Sequence, residues 1–194
     1  MSGLAVAALL LWLLLGLASV GTWWPPVPGL QIRQDRTPVL VVVVAAIGVG
    51  TGLVALFGAL GPPLDRPWSW GAVGLGAVAA AVTGGVLTSA LLTLAGSATA
   101  PPARVQRTVL RGGAWIGVLE RLALFGSLLA GFPMGVVAIV AVKAFARYPE
   151  LKTAQATGAI ERFIIGTFAS LGWAAVCVGV VEVLLHGAAS APPI

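Results

Sequence analysis

Apolar residues run for about twenty positions at a time along this chain, in six successive stretches: 4–24, 38–60, 69–95, 112–131, 133–147 and 160–185. A membrane-spanning helix needs about 20 predominantly apolar residues. The pattern therefore predicts an all-α integral membrane protein with six transmembrane helices in one polytopic domain, residues 1–194. The fifth stretch is short, about 22 Å at a rise of about 1.5 Å per residue. It is expected to take in Phe132 and to continue past Arg147 to a break at Pro149. Breakers fill the connections: Trp23-Trp24-Pro25-Pro26, Gly61-Pro62-Pro63, Pro101-Pro102, Gly131-Phe132-Pro133 and Tyr148-Pro149. Trp23, Trp24, Trp68 and Trp70 fall at segment ends, where amphipathic rings favour the headgroup level.

Lysine and arginine orient the segments. Arg33 and Arg36, then Arg104, Arg107 and Arg111, then Arg147 and Lys152 lie in alternate connections, whereas the other side carries only Arg66. Basic connections stay in the cytoplasm, so both termini are expected outside. Ala18-Ser19-Val20 has the small residues of a signal-peptide cleavage site, but no basic region precedes it. The first stretch is therefore read as a retained helix.

Composition agrees with a lipid environment. Charged residues make up 9% of the chain and hydrophobic ones 59%, against about 25% charged in a soluble domain. The formal charge of +5 does not indicate nucleic acid, because the basic residues are scattered over short connections rather than gathered on one patch. His186 is the only histidine and Cys177 the only cysteine, so no Cys/His cluster with metal-ligand spacing and no intramolecular disulfide can form. The abundance of arginine over lysine, with Ala, Gly, Val and Leu dominant, is a compositional hint of a bacterial source.

Against this background four charges stand out. Glu120-Arg121 sits inside the fourth stretch and Glu161-Arg162 opens the sixth. An ionisable group at the centre of a spanning helix costs about 2.5–3.5 kcal/mol on insertion scales, so it must be paired or used. At 100° per residue, Gly113, Gly117, Glu120, Leu124, Ser127 and Gly131 form one stripe, with Arg121 on its flank. The Gly113-x3-Gly117 spacing admits a close neighbour, so Glu120 is expected to face another helix. A tight hairpin at 131–133 sets Glu120 level with Lys143 and Ala144, close enough for an ion pair. The next connection sets Glu161 roughly level with Arg147, and Lys143 and Arg147 share a face at i,i+4. On the sixth stretch Arg162, Gly166, Ala169, Ser170 and Trp173 form a stripe.

These positions define a candidate site on the cytoplasmic side. Arg121, Lys143, Arg147 and Arg162 are its expected anion-binding cations, Glu120 and Glu161 pair with and orient them, and Gly117, Ser127, Gly166 and Ser170 line it. The cluster carries a surplus of about two positive charges. One account is purely structural, with ion pairs that set helix register and long basic side chains snorkelling to the headgroups. The other is a site for an anionic group, whether lipid headgroup, phosphate or carboxylate solute. A third, a proton relay through Glu120, has less behind it.

Other signals are weaker. Gly48-Val49-Gly50-Thr51-Gly52 has the glycines of a phosphate loop without its strand or its Gly-Lys-Ser/Thr, and reads as a packing face. Gly76, Ala80 and Gly84 form another such face, with the hydroxyls of Thr83, Thr88 and Ser89 expected to bond the i−4 carbonyls. Glu182 and His186 are spaced as an interfacial pair near the outer end. Ser127 and Ser170 have no neighbouring base, and Asp35 and Asp65 lie on opposite sides, so neither catalysis nor a cofactor is expected.

The series Ile116-Gly117-Val118-Leu119-Glu120-Arg121, Lys143 with Arg147, and Glu161-Arg162-Phe163-Ile164-Ile165-Gly166-Thr167-Phe168-Ala169-Ser170 resembles a family of bacterial multi-pass inner-membrane proteins of unknown function. That resemblance covers about residues 110–175 and implies a plasma-membrane location but no activity. The reading from sequence is thus a small, transport-related or anion-binding membrane protein, with a non-transporting structural or accessory subunit as the alternative. Its expected partners are membrane lipids, anionic ones among them, and a second copy or another membrane protein.

Overall fold

The structure is a computed structural model and describes residues 3–21, 37–95, 111–153 and 159–187. The described residues form six helices and no strand: α1 (Gly3–Gly21), α2 (Thr37–Leu60), α3 (Arg66–Leu94), α4 (Arg111–Leu129), α5 (Met134–Thr153) and α6 (Ala159–His186). Three are long and apolar enough to cross a membrane, over Val41–Leu60, Arg66–Leu94 and Ile160–His186. α1 is apolar over the shorter span Ala5–Ala18. α4 and α5 interrupt their apolar runs with Glu120, Arg121, Lys143 and Arg147.

Leu14, Val42, Phe145 and Phe168 are exposed, while the interior is also apolar. Helices hydrophobic all round belong in a membrane or deep in a large core, and the length and composition of α2, α3 and α6 fit the first. Trp68 and Trp70 are exposed at the start of α3. The segments holding Trp23, Trp24, Arg33, Arg36, Arg104 and Arg107 lie outside the described residues, as do the surroundings of Gly113 and Arg111.

α3 and α6 form the central pair. α1 and α2 pack on each other and on α3, α4 packs on both α3 and α6, and α5 packs on α4. Glycines give the register of this packing. A Cβ built on Gly76 would lie 2.5 Å from Val181 on α6 and 3.2 Å from both Phe125 on α4 and Trp12 on α1. One built on Gly84 would lie 2.7 Å from Arg121 and 3.0 Å from Trp173. As α3 advances from 76 to 84, its neighbours recede from 125 to 121 and from 181 to 173. α3 is therefore antiparallel to α4 and α6, and those two run parallel. In the 48–52 series only Gly50 makes a close approach, against Leu15 of α1; Gly48 and Gly52 have nothing near them. The packing face expected there reduces to one position.

Several boundaries shift for local reasons. α3 begins at Arg66 rather than 69, because Pro67 suits the first turn of a helix, where its missing N–H costs nothing. α4 stops at Leu129. The Gly131 N–H donates to the Leu128 carbonyl at 2.9 Å and the Phe132 N–H to Ser127 at 2.8 Å, with Gly131 at φ 67°. This is a Schellman cap, and only glycine takes that φ without strain. α5 does not break at Pro149 but runs through it to Thr153. A proline removes one bond from the helical ladder, and the bonds on either side carry the helix past it.

Candidate functional site

The hairpin from α4 to α5 brings Glu120 against Lys143, as its geometry predicts: Lys143 Nζ donates to Glu120 Oε2. Both side chains are largely covered, at 17% and 19% exposure. They lie in the wall of an open groove of about 440 Å³ between the two helices, whose other lining residues, Ile116, Leu119 and Val142 among them, are apolar. In such surroundings removal of one partner strands the other charge. Lys143→Met is expected to lower stability by about 1–2 kcal/mol, discounted for partial exposure. The double variant Glu120→Gln, Lys143→Met recovers most of that loss in detergent-solubilised unfolding measurements.

Arg121 is where the structure departs most from the sequence reading. It does not sit on the flank but is the most buried charged side chain among the described residues, at 5% exposure. Glu120, 100° away on the same helix, takes the edge facing α5. Arg121 Nε and Nη2 donate to the Ala81 carbonyl of α3 at 3.1 and 2.9 Å. Nη1 donates to Ser170 Oγ on α6 at 3.2 Å. Gly84 makes this possible, since any side chain there would collide with Arg121 Cδ. Gly117, one turn before Arg121, leaves room for the guanidinium to lean back along α4. Beside it, Trp173 Nε1 donates to Thr83 Oγ1 at 2.7 Å, and that hydroxyl donates to the Ala79 carbonyl at 2.6 Å.

The expected site residues therefore divide. Arg121, Ser170 and Gly117 meet at the junction of α3, α4 and α6, and Glu120 with Lys143 forms a second centre between α4 and α5. Gly166 packs against Leu92 and Thr88 of α3. Arg162 is half-buried on α6, Arg147 is exposed on α5, and each makes an interaction of its own. Glu161 is exposed. Ser127 belongs to neither centre, because its hydroxyl packs against Gly135 inside the hairpin. The site is also not confined to helices four to six. Of the α3 contributions, Gly84 was expected in a close-packing face, whereas the Ala81 carbonyl and the Thr83–Trp173 bond were not assigned from the sequence. A backbone carbonyl leaves no mark there, and the only available signal was the run of small residues Ala79 to Gly85.

Of the α3 hydroxyls, Thr83 bonds its i−4 carbonyl as expected, and Ser89 bonds Val86 at i−3. Thr88 does neither: its buried Oγ1 has no hydrogen-bond partner, and the same holds for Thr167 on α6. At the far end of α6, His186 Nδ1 lies 3.0 Å from Glu182 Oε2, the pair expected from their spacing. Nearby the Leu64 N–H donates to the Leu184 carbonyl at 3.1 Å, tying the α2–α3 connection to that end. No family model matches this sequence, and no curated protein or solved structure shows significant similarity to it.

Proposed function

We propose that this chain is a six-span bacterial plasma-membrane protein with both termini outside, which binds an anionic group, and is transport-related, through the cluster around Arg121. The supporting observation is a charge balance. Glu120 is bonded to Lys143 and also acts electrostatically on its neighbour Arg121, so one carboxylate serves two cations. The buried Arg121 guanidinium, hydrogen-bonded to a carbonyl and a hydroxyl, leaves this group with one surplus positive charge. An arginine keeps its charge inside proteins, and a buried charge is costly until it is compensated. An anion supplies that compensation. The resemblance of residues 110–175 to bacterial membrane proteins supports the location, and the distribution of Lys and Arg supports the orientation. The purified protein is expected to gain thermal stability with an inorganic oxyanion or an anionic lipid, and to gain none with chloride at equal ionic strength. A ligand at 100 times its Kd adds about 2.7 kcal/mol. No stabilisation by any anion would remove this reading.

A second reading is a non-transporting accessory or structural membrane subunit. It draws on the same hydrogen bonds, because Arg121 ties α4 to both α3 and α6. Under it the cluster sets helix register and takes no ligand.

A further inference from the structure

Two orphaned hydroxyls carry the anion reading further. Buried polar groups are hydrogen-bonded as a rule, and each exception calls for an explanation. In a helix, threonine has a ready partner in its own i−4 carbonyl. Thr83 and Thr93 of α3 both use it. Thr88 on the same helix does not, and neither does Thr167, which is 8% exposed.

Their placement is not arbitrary. Thr88 follows Gly84 by one turn of α3, and Thr167 precedes Ser170 by one turn of α6. Gly84 and Ser170 both touch Arg121. Because α3 runs against α4 and α6, one turn forward on α3 and one turn back on the other two reach the same level. On α4 that level is Gly117, and the guanidinium leans toward it: a Cβ on Gly117 would lie 3.4 Å from Nη1. On α6 it includes Gly166, where an added Cβ would lie 3.9 Å from Thr88 Cγ2. A guanidinium has five N–H donors. Three are used on Ala81 and Ser170, which leaves two.

Resting on the anion-binding reading above, we infer that Arg121, Thr88 and Thr167 form one oxyanion site at the level of Gly117, taking a singly charged oxyanion. The guanidinium supplies charge and two N–H donors, and each threonine supplies an O–H. A ligand with several acceptor oxygens satisfies all of them at once. One positive charge matches one negative charge. A free monovalent oxyanion and the phosphodiester of an anionic lipid share that chemistry. The other orphan among the described residues, Trp12 Nε1, belongs elsewhere, since its ring packs on Gly76, about three turns before Thr88 along α3.

The test uses Thr88→Val and Thr167→Val, near-isosteric changes that remove only the hydroxyl, with the exposed Ser89→Ala as control. Affinity is measured for nitrate and inorganic phosphate in detergent, and for phosphatidylglycerol against phosphatidylcholine in nanodiscs. Each valine is expected to weaken binding about tenfold, the loss of one hydrogen bond to a charged group. It leaves the melting temperature without anion unchanged or raised, because an unsatisfied buried hydroxyl is gone. Binding of the inorganic anions identifies a free solute, and binding of phosphatidylglycerol alone identifies a lipid headgroup. Wild-type binding with unaltered affinity in either valine variant overturns the inference and leaves the broader anion reading standing. A lower melting temperature without anion overturns it too, since the hydroxyls are then structural. If the wild type binds neither class of anion, both readings fall together.

Discussion

Arg121→Met is expected to keep the protein folded and to abolish its stabilisation by anions, with a loss in affinity of about 100-fold or more, the effect of removing a forked, charged donor pair. Methionine fills much of the volume of the arginine stem and leaves no buried charge behind. Replacing a buried charged group by a well-packed apolar one is often neutral or stabilising, by about 1–4 kcal/mol. The three hydrogen bonds lost go to a carbonyl and a hydroxyl. The Ala81 carbonyl keeps its place in the helical ladder, and Ser170 can turn to its own i−4 carbonyl. The cost is therefore small, whereas a ligand loses its only charge partner. Melting curves of the variant with and without an oxyanion check both halves of the prediction. A sharp fall in the melting temperature without anion would favour the accessory reading, in which Arg121 serves only as a clamp.

Gly84→Val is expected to destabilise the bundle by about 2–4 kcal/mol, the upper range for overpacking combined with a lost buried hydrogen bond. The first atom of any side chain would stand 2.7 Å from Arg121 Cδ and 3.0 Å from Trp173 Cδ1. Trp173 is held by its bond to Thr83 and Arg121 by its bonds to Ala81, so neither can yield without breaking a hydrogen bond. Gly48→Val, in a glycine-rich stretch that looks equally significant, has nothing within 4 Å of its Cβ. Its stability should change little. Denaturation midpoints of the two variants in one detergent give the comparison directly, and equal losses would contradict the packing described for α3.

Much of the arrangement was legible in the chain. Long apolar runs gave α2, α3 and α6 their lengths, because a helix that satisfies its own backbone needs only sustained hydrophobicity to be stable in lipid. The Glu120–Lys143 pair followed from a short hairpin, since a tight turn leaves antiparallel helices little freedom of register. The Glu182–His186 pair followed from helical spacing alone. Local chemistry of this kind involves residues close in sequence or joined by a short connection.

Which side of α4 faces the core could not be read in the same way. In a soluble protein the apolar stripe orients a helix, but these helices are apolar on every side, so that signal is missing. Glu120 and Arg121 are one step apart, and an error of one step exchanges the buried residue for the edge residue. Only the packing of α4 on both α3 and α6 settled the matter in favour of Arg121. Its partners lie 40 and 49 positions away, and one of them is a backbone carbonyl that any residue would provide. The sequence by itself determined how many helices form, where the charges fall and which pair meets across the hairpin. The tertiary structure alone decided which arginine is buried, which glycines matter and which threonines lack a partner, because those depend on the approach of helices distant in sequence.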